Sequence, residues 1–181
     1  MTRDEALALL TTHLKNKNLV KHCLSVEACM KALAVRLGHD PGPWGLAGLV
    51  HDMDYELTEK SPESHTLETV RILAENGFDP AVIHAVQAHA GKVPCESPMD
   101  WAIYSVDPLT GLIIAAALMH PEKKLARIDL DFIKRRYKEK SFARGARREE
   151  IEQCLHLGLS LNEFIATALA AMQGISPDLG L

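Results

Sequence analysis

Four side chains of this sequence have the types and settings that divalent-cation chemistry uses: His22, the adjacent pair His51-Asp52, and Asp107. The pair closes the apolar stretch Trp44 to Val50 and runs into the acidic tail Asp54 and Glu56. An imidazole and a carboxylate at the end of a buried helix both lose water, and a cation that takes their lone pairs offsets that cost. His22 shares a helical face with Val26, Cys29 and Leu33, so it faces inward. A lone buried histidine is more often a hydrogen-bonded core residue than a ligand. The argument therefore rests on the set.

Three further histidines bear on it. His89 lies on the face of Val82 and Val86. His84, five residues earlier, is about 140° around the same helix and is set aside. Periodicity leaves His65 evenly divided between an exposed and an inward reading. Asp107 also reads two ways: as the cap of a helix beginning at Pro108, or as an inward ligand on a helix that continues through a kink. Gly111 lies one turn beyond it. Glycine inside a helix costs about 1 kcal/mol relative to alanine, which points to close approach by something on that face. A mixed imidazole–carboxylate set without thiolates suits Mn, Fe, Zn, Co or Ni better than Ca, with Mg a further option, and is not a structural zinc site.

The elements that must position these residues read at helical period almost throughout. An amphipathic helix is expected over residues 3–15, and a second from an Asn18 cap to Leu37, ended by Gly38. A short helix after Pro41 and Pro43 holds His51. Ser61-Pro62, Asp79-Pro80 and Ser97-Pro98 each place a capping residue before a proline at the first helical position. They open helices to Asn76, Ala90 and Val106. Further helices are expected at about 109–119, 131–139, 147–156 and 161–173, the last behind the capping box Ser160 to Glu163. No strand, internal repeat or low-complexity linker stands out, so the fold class is all-α.

Length and composition fit that picture. With 181 residues, the chain reads as one domain over 1–181, large enough for a core without staples. Apolar residues at 47% and charged residues at 24% are ordinary for a globular protein, and aromatics at 5% favour helix packing over a sheet sandwich. The four cysteines contain no C-x-x-C pair, and without a secretory leader they are expected as reduced thiols in a cytoplasmic protein. The longest apolar run, Leu112 to Met119, is too short to cross a bilayer, so no membrane partner is expected. A net charge of −4 argues against general nucleic-acid binding, and no DNA-binding motif is present. The segment Lys134 to Arg148 is locally basic. A solvated face is its plain reading, and a positive wall beside an anionic substrate the functional one.

The ordered set His22, His51-Asp52 and Asp107 resembles the signature of the HD superfamily of metal-dependent phosphohydrolases, with a signature core over about residues 20–115. The segments Gly45 to Asp52, Asp107 to Ile113 and Lys140 to Gly145 also resemble an uncharacterised subgroup of predicted HD-type hydrolases. The resemblance implies an HD-domain helical bundle with the site among its central helices and helices 131–173 packed on the core. It makes His22, His51, Asp52 and Asp107 metal ligands. Members with two ions add histidines between the HD pair and the last aspartate, with the Asp52 equivalent bridging. His65 and His89 sit where those ligands belong.

The implied activity is hydrolysis of a small, nucleotide-like phosphomonoester or phosphodiester by metal-activated hydroxide, with Asp52 central to catalysis. Lys92, just after His89, is the first candidate for countering charge build-up and binding substrate, and Arg144 is the second. Asp54 or Glu56 are weaker options for orienting water or protonating a leaving group. Trp44, Trp101, Tyr55 and Tyr104 read as packing residues. A di-iron oxygenase on the same scaffold, or a metal- or ligand-binding regulatory module without turnover, is the alternative. The apolar faces after residue 146 serve either to cover the core or to form a homodimer contact.

Overall fold

The computed structural model describes residues 1–181, and every regular element in it is helical. The α-helices are α1 (Arg3–His13), α2 (Lys17–Leu37), α3 (Pro41–Val50), α4 (Tyr55–Thr58), α5 (Leu67–Glu75), α6 (Pro80–His89), α7 (Pro98–Met119), α8 (Leu130–Lys138), α9 (Arg148–Ile151), α10 (Leu161–Gly174) and α11 (Ser176–Leu179). Short 3₁₀ turns cover Pro62–Ser64, Leu125–Arg127 and Glu152–Leu157. Local chemistry sets most boundaries. Asp40 and Asp79 cap α3 and α6 from in front of prolines, while Ser97 and Ser160 form capping boxes with Asp100 and Glu163. Gly38 ends α2 with φ +77°, a left-handed value that costs glycine nothing.

One continuous apolar core runs from Ala6 and Leu10 through Leu33, Leu49, Ile103 and Ile113 to Phe164 and Leu179. Helices α2 and α7 cross its centre, with α3, α6 and α10 packed around them. The approach of α3 to α2 is set by small residues. A Cβ on Gly48 would sit 2.9 Å from the backbone of Val26 and Glu27, so only glycine lets the two helices close. Gly45, one turn earlier, lies against the side chain of Lys31. This contact fixes the distance between the helix carrying His22 and the one ending at His51.

The structure departs from the expected elements in places that matter for the site. Helix α7 is one unbroken run of 22 residues with Pro108 inside it, so Asp107 is mid-helix and does not cap. By length and composition α7 is also apolar enough to span a bilayer; here its apolar residues fill the centre of the bundle. The helix expected from Ser61 is split. A 3₁₀ turn ends at Ser64, Thr66 adopts φ +73°, and α5 begins only at Leu67. The cap of α2 is Asn16 and not Asn18, and the helix expected at 147–156 is a single α-turn followed by 3₁₀ structure.

Candidate metal centre

Six side chains from five different segments converge at one end of the central helices. His22 comes from the middle of α2, His51-Asp52 from the C-terminal end of α3, His65 from the break before α5, His89 from the last residue of α6, and Asp107 from the middle of α7. His51, Asp52 and His89 are buried; His22, His65 and Asp107 are partly open to a pocket of 590 Å³.

The imidazole Nε2 atoms all point at carboxylate oxygens. His22 Nε2 lies 2.9 Å from Asp107 Oδ1 and 3.5 Å from Asp52 Oδ2, and His51 Nε2 lies 3.5 Å from Asp52 Oδ2 and 3.7 Å from Asp107 Oδ1. On the other side, His65 Nε2 and His89 Nε2 lie 3.2 Å and 3.5 Å from Asp52 Oδ1. Within each pair the Nε2 atoms approach to 3.2 Å (His22 and His51) and 3.3 Å (His65 and His89). Asp52 therefore faces one histidine pair with each of its two oxygens.

Each ring is fixed through its other nitrogen. His51 Nδ1 donates to the Gly48 carbonyl at 2.9 Å, and His89 Nδ1 donates to the Val86 carbonyl. Both acceptors lie three residues back at a helix end, where the last carbonyls lack helical partners. His22 Nδ1 donates to Thr110 Oγ1 at 3.2 Å, and the Thr110 hydroxyl donates in turn to the Asp107 carbonyl at 2.9 Å. His65 Nδ1 donates to Asp54 Oδ1 at 2.9 Å. With Nδ1 committed as donor, the Nε2 lone pair is left for the centre in all four rings.

That geometry has electrostatic consequences in the protein without a cation. Burial pushes the His51 imidazole towards neutrality, but the Asp52 and Asp107 carboxylates outweigh it and raise its pKa to about 9. His65 is raised to about 9 in the same way, by Asp52 and Asp54 against burial. For Asp52 and Asp107, burial alone favours the neutral form, yet the surrounding imidazoles hold both carboxyls well below the usual range. The donors form two overlapping groups, His22 with His51 and Asp107, and His51 with Asp52 and His89. Imidazole nitrogens beside ionised carboxylates fit borderline transition cations, and no thiolate is present to suggest a closed structural zinc site.

Other expected residues fall elsewhere. Lys92 does not reach the pocket: its ammonium donates to the carbonyls of Pro62 (3.0 Å) and Glu63 (2.8 Å), which turns it away to brace the turn before His65. Arg144 is exposed and outside the pocket lining, because the turn at 143–146 points its side chain to solvent; Arg147 lines the pocket instead. Asp54 is not available for proton transfer. It is buried, accepts from the backbone N–H groups of Thr66 and Thr69 at 3.1 Å each, and orients His65. Glu56 accepts from the backbone of Lys15 and Asn16, bracing the turn into α2.

His84 pairs with Asp100 at 3.1 Å, away from the centre. Gly111 lines the pocket with nothing within 4 Å of where a Cβ would stand, so its role is to leave space and not to admit a close neighbour. Tyr55, read from sequence as a packing residue, lines the pocket edge-on to His65, with ring centroids 5.6 Å apart. The signal that would have found it is its place one turn beyond the His-Asp pair.

The sequence matches the HD domain family over residues 19–129, more than half of the chain, and the protein belongs to that family. Among named relatives, Ribonuclease Y of Bacillus thuringiensis is 28% identical over 136 residues, covering 74% of this chain and 26% of that protein. Ribonuclease Y 2 of Levilactobacillus brevis is 28% identical over 95 residues, covering 52% of this chain and 18% of that protein. Ribonuclease Y of Nitratidesulfovibrio vulgaris is 27% identical over 96 residues, covering 53% and 18% respectively. The chain thus spans about a quarter or less of the length of these relatives. No solved structure matches it with significance.

Proposed function

We propose that this protein is a metal-dependent phosphoric ester hydrolase acting on a small, nucleotide-like phosphomonoester or phosphodiester. In this reading His22, His51, Asp52, His65, His89 and Asp107 hold two divalent transition cations. The observation that carries it is the division of Asp52, whose Oδ2 faces His22 and His51 and whose Oδ1 faces His65 and His89. One carboxylate set between two imidazole pairs suits a ligand shared by two cations better than a single site does.

Such cations, when bound, acidify water and polarise phosphoryl oxygens, which is what cleaving a P–O bond at neutral pH requires. The chain's own residues supply the rest. The Nδ1 anchors hold the four rings within the narrow angular range that a working site tolerates. Burial of His51, Asp52 and His89 keeps bulk water from the floor of the pocket. Leu19, Pro108 and the Tyr55 ring give that pocket apolar walls, and 590 Å³ falls within the usual range for a small-molecule site. The Tyr55 ring also offers a surface for a nucleobase. The name of the relatives supports phosphoester chemistry and adds a phosphodiester of RNA to the substrates worth trying.

The test pairs elemental analysis of protein purified without added metal with a phosphoester panel run anaerobically in Mn²⁺. The expected result is stoichiometric metal, lost in His51→Ala and Asp52→Ala, and product release without O₂. Bound iron with O₂ consumption and no phosphoester cleavage would establish the oxygenase instead.

A further inference from the structure

Arg147 is the one arginine or lysine among the residues lining the pocket, whose other charged groups there are Asp52, Asp107, Glu150 and the histidines. It lies beyond the matched family region, which ends at residue 129. Of the eight basic side chains between Lys134 and Arg148, most are engaged or turned away. Lys134 pairs with Asp131, and Arg136 pairs with Glu139 while lying over the Phe132 and Phe142 rings. Lys138, Lys140 and Arg144 are exposed and outside the pocket.

The base from which Arg147 projects is fixed by its neighbour. The Arg148 guanidinium donates to the carbonyls of Phe142 (2.7 Å), Ala143 (2.8 Å), Ala146 (2.7 Å) and Tyr137 (3.3 Å), folding residues 137–148 around a single cation. Ala143 is held at φ +44°, a left-handed conformation that a non-glycine residue adopts only under constraint from its surroundings. Ala143, Gly145 and Ala146 then form part of the wall of the pocket into which the metal centre opens. At their end, Arg147 Nη2 lies 2.7 Å from Glu150 Oε1, which is buried. A guanidinium has five N–H donors, so one contact with Glu150 leaves others for a ligand. Its side chain remains 60% exposed at the pocket rim.

We propose that Arg147 is the substrate-recognition cation of this pocket, taking a phosphoryl oxygen at the rim of the cavity it shares with the histidine–aspartate centre. The inference rests on the hydrolase reading above and adds a residue from this chain's own C-terminal segment. The planar fork of arginine suits two oxygens of one phosphoryl group, which a lysine ammonium does not match. Glu150 keeps the arm directed along the wall, and the Arg148-centred loop keeps the wall in place.

The experiment is calorimetric titration of inorganic phosphate into manganese-loaded protein, with manganese content measured for every variant. Arg147→Ala is expected to weaken phosphate binding about tenfold or more, while Arg147→Lys recovers part of it. Arg144→Ala, equal in charge change but exposed and outside the pocket lining, is expected to bind as the parent does. Manganese content should be the same in all of them. Unchanged phosphate affinity in Arg147→Ala, an equal loss in Arg144→Ala, or a manganese-loaded parent that binds no phosphate would overturn the inference while leaving the metal centre intact. A parent that takes up no manganese or other transition cation would sink the hydrolase reading itself, and the inference with it.

Discussion

His22, His51 and Asp107 are carried by α2, α3 and α7, the helices most tightly packed in the bundle, whereas His65 hangs on a break between a 3₁₀ turn and α5. The first group needs no special backbone: its rings are tethered by a carbonyl of the same helix or by a threonine one turn from the neighbouring ligand. His65 is held because Asp54 grips its ring and the N–H groups of Thr66 and Thr69, with the Thr58 hydroxyl also 3.4 Å from its Nδ1, and because Thr66 accepts φ +73°. A β-branched residue there is strained by about 1–2 kcal/mol. Its hydroxyl is also buried without a partner. One half of the centre thus comes with the fold. In the other, His89 does too, tethered to the Val86 carbonyl at the end of α6, while His65 is positioned by a buried carboxylate against local strain.

Removing what both halves share should have the largest effect. Asp52→Ala is expected to abolish metal-dependent turnover, by about a thousandfold or more, and, on the two-cation proposal, to strip both ions in elemental analysis. Retention of half the metal would show that the halves do not depend on a common carboxylate. Breaking the halves separately comes next. Asp54→Ala should lower metal content to about half and cut activity by about 10–100-fold, the usual cost of losing the partner that orients a ligand. Gly48→Ala forces a Cβ to 2.9 Å from the backbone of α2. It should destabilise by about 1–3 kcal/mol or more, seen as a lower Tm, and weaken the His22–His51 side first.

Protonation offers a gentler probe. His51 and His65 are raised from 6.5 to about 9, so their contribution to the stability of the metal-free protein is full below pH 6.5 and is lost as pH climbs to about 9. Metal uptake displaces the same protons, so affinity should rise over that interval. Thermal melts with and without cation should diverge as pH increases. A metal-free Tm that is flat from pH 6.5 to 9 would show that these carboxylates do not hold His51 and His65 charged. The smallest effect is expected from His84→Ala, which should leave metal content and turnover nearly intact, since His84 pairs with Asp100 outside the centre. A loss comparable to that of Asp52→Ala would mean the face of α6 has been misassigned.

Reading the sequence at helical period finds the residues on regular helices. His22 and His89 are legible because apolar neighbours at offsets of three, four and seven reveal which face is buried, and the His51-Asp52 pair because it closes the apolar stretch Trp44 to Val50. The all-α class follows from the helical period. Asp107 was ambiguous because an aspartate before proline has the chemistry of a cap whether or not the helix continues. Its answer depended on the packing that carries α7 through Pro108. Periodicity does not settle His65 or Asp54, because the helix expected from Ser61 to Asn76 is broken between Ser64 and Leu67 and Asp54 lies in the turn between α3 and α4. The same holds for Arg147. A run of eight basic residues announces charge, but which of them reaches the pocket is decided by how Arg148 winds the chain around itself.

The amino-acid sequence by itself set the helices, their caps and the donor chemistry available, since propensity, capping and hydrophobic period act over a few residues. Tertiary structure alone decided that Asp52 stands between two histidine pairs, that Asp54 serves His65 and not a substrate, and that Lys92 and Arg144 yield the pocket to Arg147. The reason is distance. These relations join residues up to about a hundred positions apart, and a displacement of an ångström or two in helix packing is enough to make or unmake them.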